Sequence, residues 1–252
     1  MRDLLKLEFR DARVWRYSMI SIAKIFDEAS FQVDDSGVRL RALDPSNIVL
    51  VDFQYPRSAF TVFESRGNEY FGVNMDDFAK ILKRATKGDE LLLEKTADGR
   101  ISVVFKGRGL RRFTIPNLDI PPQEIPELSL EFSARVKMLP KILKDVIKEM
   151  EPISDSILFE AVPEEEKLVV AASGDIAEAR VELSVASGAL LEFESTSPAK
   201  SRFTIDYLID ITSAAQVSEY VFVELSDNAP IKLEYGLPQE GKLTFYVAPR
   251  SD

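Results

Sequence analysis

The sequence predicts an α+β fold of two similar domains joined by an extended linker, and three observations support this prediction. Short stretches of alternating apolar and polar residues, separated by turn residues, are typical of antiparallel strands. Four other stretches show the helical period of apolar residues. Near the middle of the chain, residues 117–132 contain three prolines, which exclude a regular helix or a central strand.

The strands and helices are predicted from these patterns in chain order. The strands are expected near residues 37–40, 48–53, 90–94, 101–105, 167–170, 221–225 and 243–247. The helices are expected near residues 13–29, 75–86, 140–150 and 204–217.

The two halves of the chain repeat one order of elements. Met75 and Ile205, which are 130 residues apart, each open a predicted helix, and Val38 and Leu168 lie on strands at the same offset. We interpret the chain as two copies of one α+β unit. The expected division is a first domain over residues 1–117, a linker over 118–132 and a second domain over 133–252.

The composition limits the possible chemistry. The 252 residues include 42 acidic and 32 basic ones, for a net charge of −10, and neither cysteine nor histidine. This excludes a disulfide scaffold, thiolate or imidazole metal ligands and catalytic triads that need Cys or His. An enzyme is therefore disfavoured, and we expect no metal and no cofactor.

Membrane and export signals are not expected. The first six residues, from Met1 to Lys6, lack the apolar segment of a signal peptide, and no apolar run approaches the roughly 20 residues of a membrane span. We expect a soluble protein inside the cell.

Basic residues recur at helical spacing on the predicted outer faces of three helices. The second and third helices carry almost no carboxylate on those faces, which in a chain of net −10 indicates one basic and one acidic surface. The alternative is that these side chains bind no partner and only keep the outer faces of the helices in contact with water. No base-reading motif accompanies them, so contact with DNA would be sequence-independent and salt-sensitive. The residues are Arg13, Arg16, Lys24, Lys80, Lys83, Arg84, Lys87, Lys141, Lys144 and Lys148.

Several segments, in order along nearly the whole chain, resemble the sliding-clamp family of the proliferating cell nuclear antigen type. They are residues 40–51 (LRALDPSNIVLV), 72–75 (GVNM) with 80–83 (KILK), 171–175 (AASGD), 228–231 (NAPI) and 245–250 (FYVAPR). The short sequence that follows Tyr-x-Ala-Pro is more similar to archaeal than to eukaryotic members.

The resemblance implies the DNA-clamp fold and a non-enzymatic function. Such proteins form rings of three two-domain subunits, of the same or sister chains, with helices lining the hole and sheets outside. The ring encircles duplex DNA and tethers DNA polymerase, flap nuclease and ligase, and an ATP-driven clamp loader opens it. A basic hole inside an acidic rim would reconcile the net charge. The implied location is cytoplasmic and DNA-associated, or nuclear in a eukaryote.

The resemblance also implies a pocket under the linker for short partner peptides with aromatic and aliphatic anchors. Without it, apolar residues from distant segments would predict ordinary core; with it, they predict an exposed apolar patch. The matching positions are Leu43, Ile48, Leu50, Ile125, Pro230, Tyr246, Ala248 and Pro249.

The implied subunit contact joins two edge strands, expected at about residues 109–117 and 175–184. Opposite charges on them favour head-to-tail closure of a ring. Alternatively, charged edges merely block aggregation. The charged residues are Arg108, Arg111 and Arg112 on the first strand and Asp175, Glu178 and Glu182 on the second.

One helix departs from the family pattern. The fourth helix presents Asp206, Asp210 and Ser213 outward and has no basic residue between Phe203 and Gln216, although Lys200 and Arg202 precede it.

Two other functions remain as alternatives. The first is a carboxylate-dependent hydrolase, with or without metal assistance, that uses Asp76 and Asp77 or residues 164–166 (EEE). Neither group has the spacing of a calcium loop or an HExxH motif. The second is a ring-forming relative that serves damage signalling.

Overall fold

The computed structural model of the protein describes residues 5–250, so the start of the segment tested for a signal peptide lies outside it. The chain divides into two compact units. Unit 1 comprises Met1–Ala42, Val51–Ile125 and Leu237–Leu243, and unit 2 comprises Leu43–Leu50, Pro126–Gly236 and Thr244–Asp252. Among the described residues, no helix is both long enough and apolar enough to span a membrane.

Both halves contain short strands and two α-helices. The first half has β1 (Lys6–Phe9), α1 (Ala12–Ile22), β2 (Glu28–Asp34), β3 (Gly37–Leu43), β4 (Val49–Pro56), β5 (Val62–Glu64), β6 (Glu69–Asn74), α2 (Met75–Leu82), β7 (Glu90–Lys95), β8 (Ile101–Lys106) and β9 (Leu110–Ile115). The second half has β10 (Ala134–Met138), α3 (Pro140–Met150), β11 (Ser156–Val162), β12 (Lys167–Ser173), β13 (Glu178–Ser184), β14 (Glu192–Ser195), β15 (Ala199–Thr204), α4 (Ile205–Ile211), β16 (Tyr220–Leu225), β17 (Ile231–Gly236) and β18 (Lys242–Val247).

The element order of the first half is repeated in the second, which confirms the predicted duplication of one α+β unit. α2 begins at Met75 and α4 at Ile205, and β3 begins at Gly37 and β12 at Lys167, so both pairs are offset by 130 residues. The strand orders repeat as well. β5-β1-β7-β8-β9 corresponds to β14-β10-β16-β17-β18, and β4-β3-β2-β6 corresponds to β13-β12-β11-β15. β9 and β13 are the outer strands of their sheets.

Aromatic side chains fill the core of unit 1. α1 buries its apolar face, with Trp15 at its centre and the Trp15 ring 5.3 Å from that of Phe53. Phe31 of β2 stacks on Phe71 of β6 at 4.9 Å. The late segment 237–243 closes onto this core, because a Cβ on Gly241 would lie 2.2 Å from the ring of Tyr55. Only glycine leaves space for that ring.

The core of unit 2 follows the predicted helical face. Leu143, Ile147 and Met150 of α3 are fully buried, and Pro140 occupies the start of the helix, where its missing N–H costs nothing. α3 has the predicted bounds. α4 and the 3-10 helix Thr212–Gln216 together cover most of the fourth predicted helix.

The first helix is shorter than predicted. α1 ends at Ile22, whereas the apolar period predicted a helix over residues 13–29. The amide of Phe26 bonds to the carbonyl of Ile22, and Glu28 then begins β2, which pairs with β6. The longer helix was wrong because strand pairing replaces its last turns. Lys24 therefore lies beyond the helix.

The second helix also ends early, at Leu82 instead of residue 86. The amide of Arg84 bonds to a carbonyl three residues back, which is a tighter turn than an α-helix has. The amide of Thr86 bonds instead to the carboxylate of Asp89 at 2.6 Å. Three basic residues therefore follow the helix: Lys83, Arg84 and Lys87.

The proline-rich linker has no regular secondary structure, as its prolines predicted. Residues 119–132 form neither helix nor strand. Just before them, Leu118 makes an isolated antiparallel bridge with Gly72 of β6.

Candidate nucleic-acid and protein interfaces

The basic residues around α2 form an exposed group at the C-terminal end of the helix. Asn74 caps the helix, since its side-chain oxygen accepts a hydrogen bond from the amide of Asp77 at 3.0 Å. The side chains that sequence analysis assigned to DNA contact are all exposed here: Lys80, Lys83, Arg84 and Lys87.

Two carboxylates lie beside these basic faces, which the sequence predicted to carry almost none. Lys80 lies 3.6 Å from Asp77, and Lys141 of α3 forms an ion pair with Asp145 one turn later. Such exposed pairs are worth little energy, but they reduce the local positive charge. Lys148 is exposed and Lys144 half-buried on the same helix.

Basic residues of the first helical segment form an ion pair and a hydrogen bond within unit 1. Arg13 pairs with Asp11 at 2.7 Å, and the hydrogen bond from this side chain holds the pKa of Asp11 below its usual range. Arg16 donates to the carbonyl of Ala85 at 2.9 Å, so it helps to fix the segment after α2. Lys24 is exposed beyond the end of α1.

The fourth helix has no basic residue in its last turn and carries Asp206 in its first. Asp206 is exposed and Asp210 half-buried. The two basic residues before the helix lie on β15, where Lys200 is exposed and Arg202 donates to the hydroxyl of Ser156 at 3.3 Å.

The first part of the candidate pocket is a rigid loop after β3. Asp44 is 6% exposed and accepts hydrogen bonds from the amides of Ile48 at 2.7 Å and Val49 at 2.6 Å. Burial alone would raise the pKa of Asp44, but hydrogen bonds from Ser46, Val49 and Ile48 outweigh it and hold the pKa low. The ionised carboxylate therefore fixes the loop that presents Ile48.

The candidate pocket residues come together in unit 2, except for one. The amide of Ala248 donates to the carbonyl of Ile48 at 2.8 Å, which joins the C-terminal segment to the loop. Leu50 is 4% exposed and so belongs to the core, whereas Ile125 is assigned to unit 1. The remaining members are half-buried: Leu43, Ile48, Pro230, Tyr246, Ala248 and Pro249.

Sequence reasoning missed a row of alternating charges on unit 2. The strand registers place Glu194 opposite Arg135, Arg135 opposite Glu224, and Glu224 opposite Lys232. Lys232 is close enough to Tyr246 for the two groups to interact electrostatically, so a cation lies beside the candidate pocket. Strand alternation alone could have placed these side chains on one face, but not their cross-strand register.

On the first candidate interface strand, two of the arginines have partners within the chain. Arg111 bonds to Asp89, and Arg112 donates to Glu94 at 3.1 Å and to Ser102 at 2.9 Å. Arg111 and Arg112 alternate along β9 and therefore point to opposite faces of the sheet. Arg108 lies in the loop before β9, exposed and without a partner among residues 5–250.

The second candidate strand is less acidic than predicted. β13 presents Glu178 and Glu182 outward, but Arg180 lies between them and bonds to Glu182 at 3.2 Å. Lys167 also donates to Glu182, at 3.0 Å. Asp175 is exposed in the loop before the strand.

Exposed apolar residues accompany both edges and were not identified from the sequence. Leu110, at the start of β9, is 67% exposed, and Ile176, just before β13, is 100% exposed. Each would gain from burial against another protein surface.

The carboxylates considered for hydrolysis are not brought together. Asp76 and Asp77 are exposed in the first turn of α2, and Glu165 is paired with Lys167 at the 163–166 turn. Within residues 5–250, no group of three or more acidic side chains is arranged to hold a metal ion.

The whole chain is similar to known sliding clamps. Family models described as the N-terminal and C-terminal domains of proliferating cell nuclear antigen match residues 4–117 and 124–250. DNA polymerase sliding clamp 3 of Aeropyrum pernix is 37% identical over 243 residues, which cover 96% of both chains. The DNA polymerase sliding clamp of Pyrococcus furiosus is 33% identical over 245 residues, which cover 97% of this chain and 98% of the relative.

Solved structures give the same result. A PCNA2–PCNA3 complex from Sulfolobus tokodaii contains a chain with a TM-score of 0.91 and 33% identity, covering 98% of this chain and 100% of that one. PCNA from Thermococcus kodakaraensis has a TM-score of 0.92 and 32% identity, with the same coverage.

Proposed function

Because the chain belongs to the proliferating cell nuclear antigen family of DNA sliding clamps, which form rings with other clamp subunits and are not enzymes, we propose that it closes a three-subunit ring around duplex DNA. The ring would tether DNA polymerase, flap nuclease and ligase. The observation that carries the proposal is the repeated α+β unit, matched over both halves by the family. The proposed domains are residues 1–117 and 133–252, with 118–132 as the linker.

Ring closure would use the two outer strands β9 and β13. A strand at the edge of a sheet offers unpaired backbone groups to another strand. The exposed Leu110 and Ile176 would add apolar contact. Among residues 5–250, Arg108 has no partner that would compete with a carboxylate such as Glu178. A head-to-tail contact of this kind closes only if the rotation between subunits completes a ring.

DNA contact would run through the exposed basic side chains near α1, α2 and α3, which would line the hole. Each contact with a phosphate is screened by water and ions, so encirclement rather than affinity would hold the ring on DNA. Asp206 and Asp210 of α4 would weaken contact there. A clamp loader would open the ring, and the ring would work on DNA in the cytoplasm.

Partner enzymes would bind at the half-buried apolar patch that includes Leu43, Ile48 and Tyr246. Half-buried aromatic and aliphatic residues on a hydrogen-bonded loop are suited to receive apolar peptide anchors with little ordering cost. Leu50 would support this patch from beneath rather than touch the peptide.

A primed circular DNA template tests the proposal. With the loader and every ring subunit present, the cognate polymerase should make long products in single binding events; without this chain, products should stay short. A linear template with free ends is the matched control, because an encircling ring slides off it. Distributive synthesis on the circle with all components present would reject the proposed ring function.

A further inference from the structure

The start of the linker is fixed to unit 1 along the outer strand β6. The amide of Leu118 donates to the carbonyl of Gly72 at 2.8 Å, and the amide of Gly72 donates to the side-chain oxygen of Asn117 at 3.0 Å. Both backbone groups of Gly72 are therefore satisfied, one by Asn117 and the other by Leu118 at the start of the linker. This seals an edge that would otherwise be open.

Glycine is required at position 72 for this contact. A Cβ there would lie 2.4 Å from the carbonyl oxygen of Leu118, and that neighbour is backbone, which cannot rotate away. Any side chain at Gly72 would push the linker off the strand.

A side-chain hydrogen bond continues the attachment by one residue. The hydroxyl of Tyr70 donates to the Oδ1 atom of Asp119 at 2.9 Å. Tyr70 is 38% exposed, so the ring stands at the surface beside the linker and is not part of the core. The hydroxyl is protonated and a donor at neutral pH because the ordinary pKa of tyrosine is about 10, and the bond to Asp119 raises the pKa of Tyr70 further.

Tyr70 stands between two clefts on unit 1. A cleft of 510 Å³ lies on one side, lined by Tyr70, by Arg39 and Arg41, and by linker residues 121–125. A cleft of 480 Å³ lies on the other side, lined by Tyr70, Lys95 and residues 117–119. Linker residues 121–125 therefore line the same cleft as Tyr70. They follow closely in sequence after Asp119, which the hydrogen bond from Tyr70 holds.

We propose that Tyr70 and Asp119 form a latch that holds linker residues 120–125 ready for a partner peptide. The inference rests on the proposed function and on the resemblance to sliding clamps, which implies that Ile125 contacts a partner peptide. Both are positioning residues: they act through the linker and need not touch the peptide. A linker that is already in place avoids the entropic cost of being ordered when the peptide binds.

The test compares four versions of the full chain, assembled in the ring. Tyr70→Phe and Asp119→Ala remove the hydrogen bond, whereas Asp119→Asn keeps a side-chain oxygen that can accept it. Tyr207→Phe, in α4, is the matched loss of a hydroxyl elsewhere. The probe is a fluorescein-labelled peptide with a leucine and two adjacent phenylalanines, and the readouts are its dissociation rate and hydrogen exchange at Ile120, Gln123, Glu124 and Ile125.

Tyr70→Phe and Asp119→Ala should each weaken the peptide by about three- to tenfold, mainly through faster dissociation, and should speed exchange in the linker. Asp119→Asn and Tyr207→Phe should behave like the unaltered chain. Unchanged dissociation and exchange in Tyr70→Phe would overturn the latch. If the unaltered ring does not bind the peptide but linker exchange still depends on Tyr70, the hydrogen bond does hold the linker, whereas the pocket assignment fails and the linker has no role in binding the peptide.

Discussion

The guanidinium group of Arg111, on the outer strand β9, donates a hydrogen bond to the carboxylate of Asp89, which is only 3% exposed. The same guanidinium donates to the carbonyl of Arg84 at 3.0 Å. Arg111, which lies on a strand proposed for the subunit contact, thus fixes the segment after α2. That segment carries residues proposed to contact DNA.

Replacing Arg111 by Glu should therefore destabilise the single chain, in addition to any effect on assembly. It would place a second carboxylate beside buried Asp89, at a cost of about 2 kcal/mol, less than for a fully buried pair because Arg111 is 38% exposed. Thermal unfolding of the dilute monomer should shift down by about 5 °C. Arg112→Glu, on the opposite face, is the control and should shift it by far less; equal shifts would contradict this account.

Acid should weaken unit 1 through Asp89. Burial alone would raise the pKa of Asp89, but hydrogen bonds from Thr86 and Arg111 outweigh it and lower the pKa. A lowered folded pKa stabilises the protein above the unfolded value of about 3.9, and this stability is lost as pH falls through the folded pKa. Urea unfolding of Asp89→Asn should show reduced stability at neutral pH and a shallower loss in acid. An identical acid slope would show that Asp89 contributes nothing.

Charge reversal at Arg108 should test ring closure without disturbing the fold, because this side chain has no partner among residues 5–250. If Glu178 and Glu182 of the neighbouring edge face it, Arg108→Glu creates like charges that cost up to several kcal/mol. At micromolar concentration the native mass should fall, and Glu178→Lys with Glu182→Lys should restore it. Arg66→Glu serves as the exposed control. An unchanged mass for Arg108→Glu would move the interface elsewhere.

Charging the partner patch should weaken peptide binding and leave the ring intact. Leu43→Glu or Tyr246→Glu should each reduce the affinity of a polymerase tail by about tenfold or more, since a carboxylate would face an apolar anchor. Leu191→Glu is the matched control, because Leu191 is 50% exposed in the same unit. Full binding by both pocket variants, measured by fluorescence anisotropy, would remove this site from consideration.

Removing the basic face of α3 should reduce the salt dependence of DNA binding. For a chain with Lys141, Lys144 and Lys148 changed to Ala, the slope of log binding constant against log salt concentration should become shallower by up to about 0.9 per lost phosphate contact. Sequence preference should not change. The control variant changes Arg66, Arg100 and Lys200 to Ala, for the same loss of charge. Changing Asp206 and Asp210 to Lys should strengthen binding; unchanged binding would mean that α4 does not face DNA.

The fold could be predicted from local patterns, and the site only in part. Apolar period and turn residues placed α3 and seven of the eighteen strands described in residues 5–250, because those signals are local. They overestimated α1 because the pairing of β2 with β6 joins residues distant in sequence. They overestimated α2 because the hydrogen bond from Thr86 to Asp89, three residues later, is a side-chain contact that the apolar period does not show. The exposure of Ile176 could not be predicted, because isoleucine is usually buried. The partners of Arg111 and Arg112 needed the strand register.

The membership of segment 237–243 in unit 1 has a consequence for synthesis of the chain. Domains ordinarily fold in order as they leave the ribosome. Here the first unit lacks Gly241, which packs on Tyr55, until segment 237–243 has been made. The core of the first unit therefore stays incomplete until residues 126–236, which belong to the second unit, have also been translated.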